Sequence, residues 1–258
     1  MAELNGIPIG LDQLQTLALT NYGHFTSMRV EDGRVRGLAL HVERLARDCR
    51  AVFGVELDTD RVREFARRAA PVGGAAVVRV TVFDPALDVT HVGGDARPQV
   101  LVTVRPAGSL PLGPLRVRSA EYVRDAPEIK SVGLFGSLRQ RRAAQRAGYD
   151  DALFVDGGGR VSEGGTWNIG FVRASGEVVW PEADCLAGTT MELVKRVHAC
   201  TTAPVRLAEL ADYEAAFATN VAIGVRAVAG IDGVVLPSGH PVIDLLHERY
   251  MAIPGDLL

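Results

Sequence analysis

Apolar residues recur at helical spacing along LALHVERLARDCRAVFG. Leu38, Val42, Leu45, Cys49 and Val52 fall on one face, and Gly54 offers a C-terminal stop, so the pattern predicts a helix. A second helix is predicted over DRVREFARRAA, capped by Asp58 or Thr59 and ended by Pro71. The valine-rich runs AAVVRVTVF and PQVLVTVRP predict two strands. The first thirty residues read as strands joined by turns at Asn5-Gly6 and Asn21-Tyr22-Gly23. The alternation from Phe25 to Val30 ends at Glu31-Asp32-Gly33, a hairpin signal. Residues 106–128 carry four prolines and two glycines with one short strand, LRVRSAEYV, and read as a connection between two lobes.

Beyond that connection, SVGLFGSLRQRRAAQRAG predicts an amphipathic helix with Leu134, Leu138, Arg142 and Gln145 along it, closed by Gly148. ALFVDGGGRVSEGGTWNIGFV reads as short strands around a glycine-rich turn, and TTMELVKRVHAC as a helix that follows Gly188. AAFATNVAIGVRAVAGIDG reads as a strand, a tight loop and a strand or short helix, and IDLLHERYM as a C-terminal helix. Without strict βαβ alternation, the expected class is α+β. The expected division is a small N-terminal lobe over 1–119, a linker over 120–129 and a larger lobe over 130–258.

Composition narrows the function. The 258 residues are 47% hydrophobic and 23% charged, with a net charge of −3 and no basic block. That balance gives no electrostatic support for a nucleic-acid or membrane-surface role. No apolar run reaches the length of a membrane span, and MAELNGIPIG lacks the basic-then-apolar pattern of a secretory leader. Three widely spaced cysteines, Cys49, Cys185 and Cys200, are expected as reduced thiols in a cytoplasmic protein. No metal is expected.

The basic residues hold the most useful number: two are lysines, Lys130 and Lys195, and 26 are arginines. Arginine can replace lysine on a solvated surface but not where a primary amine must form an imine. Genomic base composition also explains such a count. Lys130 follows Pro127-Glu128-Ile129 and precedes the predicted helix, so it reads either as a partly desolvated, nucleophilic amine or as an exposed helix-cap lysine. Glu163, 33 residues on, stands between a valine-led strand and two glycines, a place for close approach to a ligand or an ordinary turn. Gly188-Thr189-Thr190 opens a helix, whose unpaired N–H groups suit a phosphate or need only a cap. Thr219-Asn220 offers a second short polar loop, and Arg44 lies on the first long helix.

Taken in order, HFTSMRVEDGRV with HVERL, then IKSVGLFGSL, AGYDDALFVDGGGRVSEGGTWNIGFV, LAGTTMELV and AFATNVAIGVRAVAGIDG resemble the class IV pyridoxal-phosphate enzymes. That family includes the branched-chain and D-amino acid aminotransferases and aminodeoxychorismate lyase. The resemblance runs from about residue 20 to residue 233. It implies the two-lobed α+β fold of that family, with pyridoxal 5'-phosphate in the cleft between lobes, and a homodimer. It implies that Lys130 holds the cofactor as a Schiff base and moves the proton, and that Glu163 pairs with the pyridine nitrogen. Arg44, Thr189, Thr190, Thr219 and Asn220 match its phosphate contacts. The leading activity it implies is amino-group transfer between a small amino acid or amine and a 2-oxo acid. Pyruvate elimination from aminodeoxychorismate and cofactor binding without turnover are the alternatives.

The substrate side departs from the relatives. Phe135 stands where branched-chain enzymes carry a tyrosine, and Met191 where their helix-start motif ends in arginine. Phe25 and Thr26 stand where D-amino acid enzymes carry tyrosine and glutamate, and FDPALDVTHVGG offers His91 but no substrate-gripping arginine. Phe25, Thr26, Phe135 and Trp167 are the candidate substrate residues. The three aromatic ones would make an apolar wall, or else belong to the core.

Overall fold

The computed structural model describes residues 2–258, which fall into two compact units. The first unit comprises residues 2–108, Ile129–Gly133 and Pro254–Leu258, and the second Ser109–Glu128 and Leu134–Ile253. The division differs from the one expected at residues 119 and 130. LRVRSAEYV is an interior strand of the second unit's sheet rather than part of a connection, and the lysine segment 129–133 belongs to the first unit.

The first unit contains β1 (Ala2–Leu4), β2 (Ile7–Pro8), α1 (Leu11–Thr20), β3 (His24–Glu31), β4 (Arg34–Val35), α2 (Leu38–Phe53), α3 (Thr59–Ala69), β5 (Ala75–Phe83) and β6 (Gln99–Pro106). Its seven-stranded sheet runs from the C-terminal strand Asp256–Leu257 through β4, β3, β5, β6 and β1 to β2. Asp32 and Gly33, both at positive φ (49° and 73°), make the two-residue turn between β3 and β4 that the hairpin signal predicts. Met28, Val30, Val78, Val80, Val82, Val100 and Val102 face the apolar side of α2 and α3. Their alternate neighbours form the opposite face, where Phe25 pairs with Thr81 and Ser27 with Arg79. The Asp58 carboxylate accepts the Arg61 N–H and caps α3.

The first thirty residues are not all strand, because Leu11–Thr20 is α1. LDQLQTLALT carries four Leu and two Gln, which favour helix. The Gln13 side chain accepts the Gly10 N–H at 3.0 Å, and Asn21, at φ 49°, donates its N–H to Leu17 O to end the helix. Turn signals on either side suggested strands, but the propensity of the ten residues between them decides the element.

The second unit contains β7 (Leu115–Glu121), α4 (Phe135–Arg146), β8 (Asp151–Val155), β9 (Val161–Gly164), β10 (Asn168–Arg173), β11 (Val178–Pro181), α5 (Thr189–Val197), β12 (Cys200–Ala203), β13 (Tyr213–Asn220), β14 (Gly224–Ile231), β15 (Val234–Val235) and α6 (Pro241–Ala252). The main sheet runs β12-β11-β10-β13-β14-β7-β8-β9, and β9 also pairs with β10, so six of its strands close into a ring. Val117, Leu153, Val161, Ile169, Phe171, Ala216, Ala218 and Val228 are buried in one core. In α4 the buried positions are Ser137 and Ala144, whereas Leu138 and Phe135 are exposed, so the stripe read from the sequence is not the packed face. Small residues let α4 approach β8 closely, where Ala144 meets Ala152 and Phe154. Among the described residues, no helix is long and apolar enough to cross a membrane.

Candidate active site

In the first unit, the polar residues of α2 converge on the lysine segment. His41, Arg44 and Asp48 recur at helical spacing and are all buried, on a helix whose Leu38, Val42, Leu45 and Cys49 pack into the core. Arg44 Nη2 donates to Thr26 Oγ1 at 2.7 Å, and that hydroxyl also bonds His41 Nδ1 at 2.7 Å. Burial pushes the Arg44 guanidinium down to about 10, which leaves it charged at neutral pH. Burial, then the charges of Arg44 and Lys130, hold His41 well below its usual value, so it is neutral. Asp48 Oδ1 takes two hydrogen bonds from Arg47, and Oδ2 accepts the Lys130 main-chain N–H at 3.1 Å.

Lys130 is further fixed by the edge of β3. Its carbonyl accepts the Phe25 N–H at 2.9 Å, and Val132 N–H reaches Gly23 O at 3.0 Å. The Lys130 Nζ lies 4.9 Å from the Phe25 ring centroid, and the Arg79 guanidinium carbon lies 3.6 Å from the same centroid. Arg79 also donates to Thr81 Oγ1 at 3.1 Å, and burial lowers its pKa. The unit thus brings Phe25, Thr26, Arg44 and Lys130 together, and adds His41, Asp48 and Arg79. Thr26 has its hydroxyl committed to Arg44 and His41.

In the second unit, Glu163, Asn168 and Thr219 stand side by side on β9, β10 and β13. Asn168 pairs in register with both of the others. Cross-strand partners share a face, so the three side chains form one row. Asn168 Nδ2 donates to Leu186 O at 2.7 Å, which ties the row to the loop that enters α5. Glu163 Oε1 accepts from Arg124 Nε at 2.8 Å, and Oε2 from the Leu186 N–H at 3.4 Å. The Arg124 guanidinium also donates to Pro127 O. Gly188 precedes α5, and a Cβ there would overlap Asn168 Oδ1.

Thr189, Thr190 and Thr219 are buried, and no protein group hydrogen-bonds any of their three hydroxyls. A buried hydroxyl without a partner costs free energy unless a ligand completes it. Two of the three sit in the first turn of α5, where unpaired N–H groups and the helix dipole favour an anion. Asn220, by contrast, is committed to the β13–β14 turn: its Oδ1 accepts the Ala222 and Ile223 N–H groups at 2.8 and 2.9 Å, and its Nδ2 donates to Thr166 O. Trp167 is a core residue at 4% exposure whose Nε1 donates to Asp151 at 2.8 Å. Phe135 opens α4 at 81% exposure. Phe25 belongs to the other unit.

The reading of the sequence missed Asn168, Arg124, Asp48, His41 and Arg79. Three left a signal. His41 and Asp48 share a helical stripe with Arg44, and Arg79 is the lone charge within AAVVRVTVF. Asn168 and Arg124 act through strand register and a loop path, which leave no local pattern.

The sequence model of the class IV amino-transferase family matches residues 23–231. The probable branched-chain-amino-acid aminotransferase of Rickettsia bellii (strain RML369-C) is 31% identical over 123 residues, which span 44% of this chain and 42% of that protein. The match therefore covers less than half of that relative's length. A hypothetical aminotransferase from Mycobacterium tuberculosis, in its PLP-bound form, superposes with a TM-score of 0.82 at 21% identity, covering 98% of both chains. The branched-chain aminotransferase of Thermoproteus uzoniensis, solved with norvaline, gives a TM-score of 0.84 at 22% identity over 97% of this chain and 93% of that one. At such identities the superpositions speak for the fold, and the family match carries the assignment: this chain belongs to the class IV aminotransferases.

Proposed function

We propose that this protein is a pyridoxal 5'-phosphate-dependent transaminase that moves an amino group between a small amino acid or amine and a 2-oxo acid. The observation that carries this reading is the set of three buried hydroxyls, on Thr189, Thr190 and Thr219, that no protein group satisfies. They fit the phosphate of the cofactor, whose oxygens accept hydrogen bonds and whose charge suits the start of α5. Asn220 frames the adjoining turn. Arg44 adds a full positive charge to the same task. The cofactor supplies an electron sink for the carbanion formed at the substrate carbon.

The residues of the chain do the rest. Lys130, the amine that binds the cofactor carbonyl, also removes the proton from the substrate carbon and returns it to the cofactor side. Glu163 holds the ring nitrogen by a charge-assisted hydrogen bond. Arg79, a half-buried cation beside the Phe25 ring, grips the carboxylate of the 2-oxo acid. Phe25 walls the amine in, and Phe135 occupies the exposed start of α4 on the substrate side. Thr26 holds Arg44, and Trp167 holds the Glu163 strand. The reading includes a homodimer of this chain in the cytoplasm.

The test is a half-reaction. Protein loaded with pyridoxal 5'-phosphate is mixed with a panel of L-amino acids, D-amino acids and amines, and the bound cofactor is followed spectrally. Conversion to the pyridoxamine form, reversed by a 2-oxo acid, is expected. Pyruvate release from aminodeoxychorismate without an acceptor would replace this reading by the lyase. Bound cofactor that answers neither would leave a carrier.

A further inference from the structure

Glu163 is not a lone carboxylate. We infer that Arg124 is a positioning residue that forces the proton shared between Glu163 and the cofactor's ring nitrogen onto the nitrogen. The inference rests on the proposed pairing of Glu163 with that nitrogen and deepens it.

The physical problem is one of charge burial. Glu163 is 6% exposed. In such a setting a carboxylate facing a pyridine has two ways to share one proton. It can form an ion pair, carboxylate with pyridinium, or a neutral pair, carboxylic acid with pyridine. Burial favours the neutral pair, because two charges lose their hydration. The electron sink needs the ion pair. A cation on the far oxygen of the carboxylate changes the balance, since it stabilises the ionised carboxylate much more than the neutral acid.

Arg124 is that cation. Its Nε lies 2.8 Å from Glu163 Oε1, and both side chains are largely buried. The same guanidinium donates to Pro127 O, which fixes its direction. The other carboxylate oxygen takes a long hydrogen bond, 3.4 Å, from Leu186 N–H. Asn168 on β10 is neutral. The Cys185 thiol in the loop before α5 is pushed up to about 11, first by burial and then by the Glu163 charge, so it stays protonated. Asp184 and Lys195 act on Cys185 with opposite signs. Arg124 is also six residues before Lys130, so one segment carries both the cation that sets Glu163 and the amine.

The experiment uses the full chain loaded with pyridoxal 5'-phosphate labelled with 15N in the ring, and reads the nitrogen's protonation by NMR across pH. In the parent the nitrogen is protonated at neutral pH. In Arg124→Met the protonation midpoint falls by about 1–3 units, the usual effect of one close charge. Arg124→Lys keeps the charge but not the fork, and restores the parent signal; a purely structural role would not be rescued this way. Arg124→Gln keeps a donor for Pro127 O without charge and carries the same expectation as Met, should the Met variant not fold. Glu163→Gln separates the two readings. If it leaves the nitrogen protonated as in the parent, the pairing of Glu163 with the ring is wrong. If it deprotonates the nitrogen while Arg124→Met and Arg124→Gln behave as the parent, the pairing stands and the role of Arg124 is overturned.

Discussion

Gly188 has no room for a side chain because the Asn168 side-chain oxygen occupies the space a Cβ would take. The backbone there is extended, at φ −71° and ψ 135°, so alanine meets no conformational obstacle. Its cost is steric alone. Asn168 can give way only by leaving the Leu186 carbonyl that it holds at 2.7 Å. Gly188→Ala should destabilise the protein by about 1–3 kcal/mol, the usual cost of overpacking, and loosen the start of α5. Asn168→Ala should remove most of that penalty from the double variant. Thermal unfolding of the four proteins in a double-mutant cycle gives the coupling directly; additive effects would mean that the overlap is relieved elsewhere.

Thr190 and Arg44 should separate binding from stability. The Thr190 hydroxyl has no protein partner, so Thr190→Ala removes nothing from the protein without cofactor. Its melting temperature should hold, while affinity for pyridoxal 5'-phosphate falls about 10- to 150-fold, for one charge-assisted hydrogen bond of about 1.5–3 kcal/mol. Arg44→Ala should weaken cofactor affinity at least as much and also lower the melting temperature, because it strips a partner from buried Thr26. Equilibrium dialysis with differential scanning fluorimetry measures both. Full cofactor retention in both variants would rule out the cradle.

Lys130→Arg should keep the charge and the fold but abolish the absorbance of lysine-bound cofactor, since a guanidinium forms no imine. Borohydride reduction of the parent and peptide mapping locate the modified amine. The other lysine, Lys195, is paired with Glu192 at 3.1 Å on α5. Label found on Lys195 would overturn the assignment.

Much of this was legible in the sequence, and the exceptions have physical causes. The long amphipathic helix at Leu38 and the valine strands were read from periodicity, because one burial pattern dictates each. α1 was misread because turn signals flank it on both sides, although Leu11, Leu14 and Leu17 recur at helical spacing within it. The face of α4 was misread because it packs through Ser137 and Ala144, which carry little hydrophobic signal. Lys130 and Glu163 stood out by rarity and by flanking glycines. Their partners did not: Asp48 reaches the Lys130 N–H from 82 residues away, and Arg124 reaches Glu163 from 39. Such contacts depend on register and chain path, which a local window cannot contain.

Arg79 interrupts a valine strand, which is costly unless the charge has work to do. Arg79→Met keeps the length and the contact with Phe25 but removes the charge. KM for a 2-oxo acid should rise about 10- to 150-fold, the equivalent of one charge-assisted contact of about 1.5–3 kcal/mol. Cofactor retention should not change. Equal losses for a primary amine donor without a carboxylate would argue against a carboxylate-binding role.

The last expectation concerns acid stability and His24. The ring is fully buried, neither nitrogen has a hydrogen-bond partner, and burial lowers its pKa to about 4 against the partial opposition of Asp48. In the unfolded chain the same histidine titrates near 6.5. Above pH 6.5 both states are neutral and His24 adds no pH dependence. Between 6.5 and about 4 the unfolded state binds a proton that the folded state refuses, so stability falls as pH falls. The accumulated loss is about 3 kcal/mol at the lower end of that window. Leucine fills a similar volume and, because the imidazole makes no hydrogen bond here, its introduction leaves no partner unsatisfied. In urea unfolding, the stability of His24→Leu relative to the parent should therefore be about 2–3 kcal/mol greater at pH 4.5 than at pH 7.5. The difference between the two proteins isolates His24 from His41, whose buried ring destabilises the fold in acid in the same sense. A difference that stays constant with pH would mean that His24 titrates alike in the folded and unfolded chains, and one that shrinks as the pH falls would mean that the folded protein holds it protonated beside Asp48.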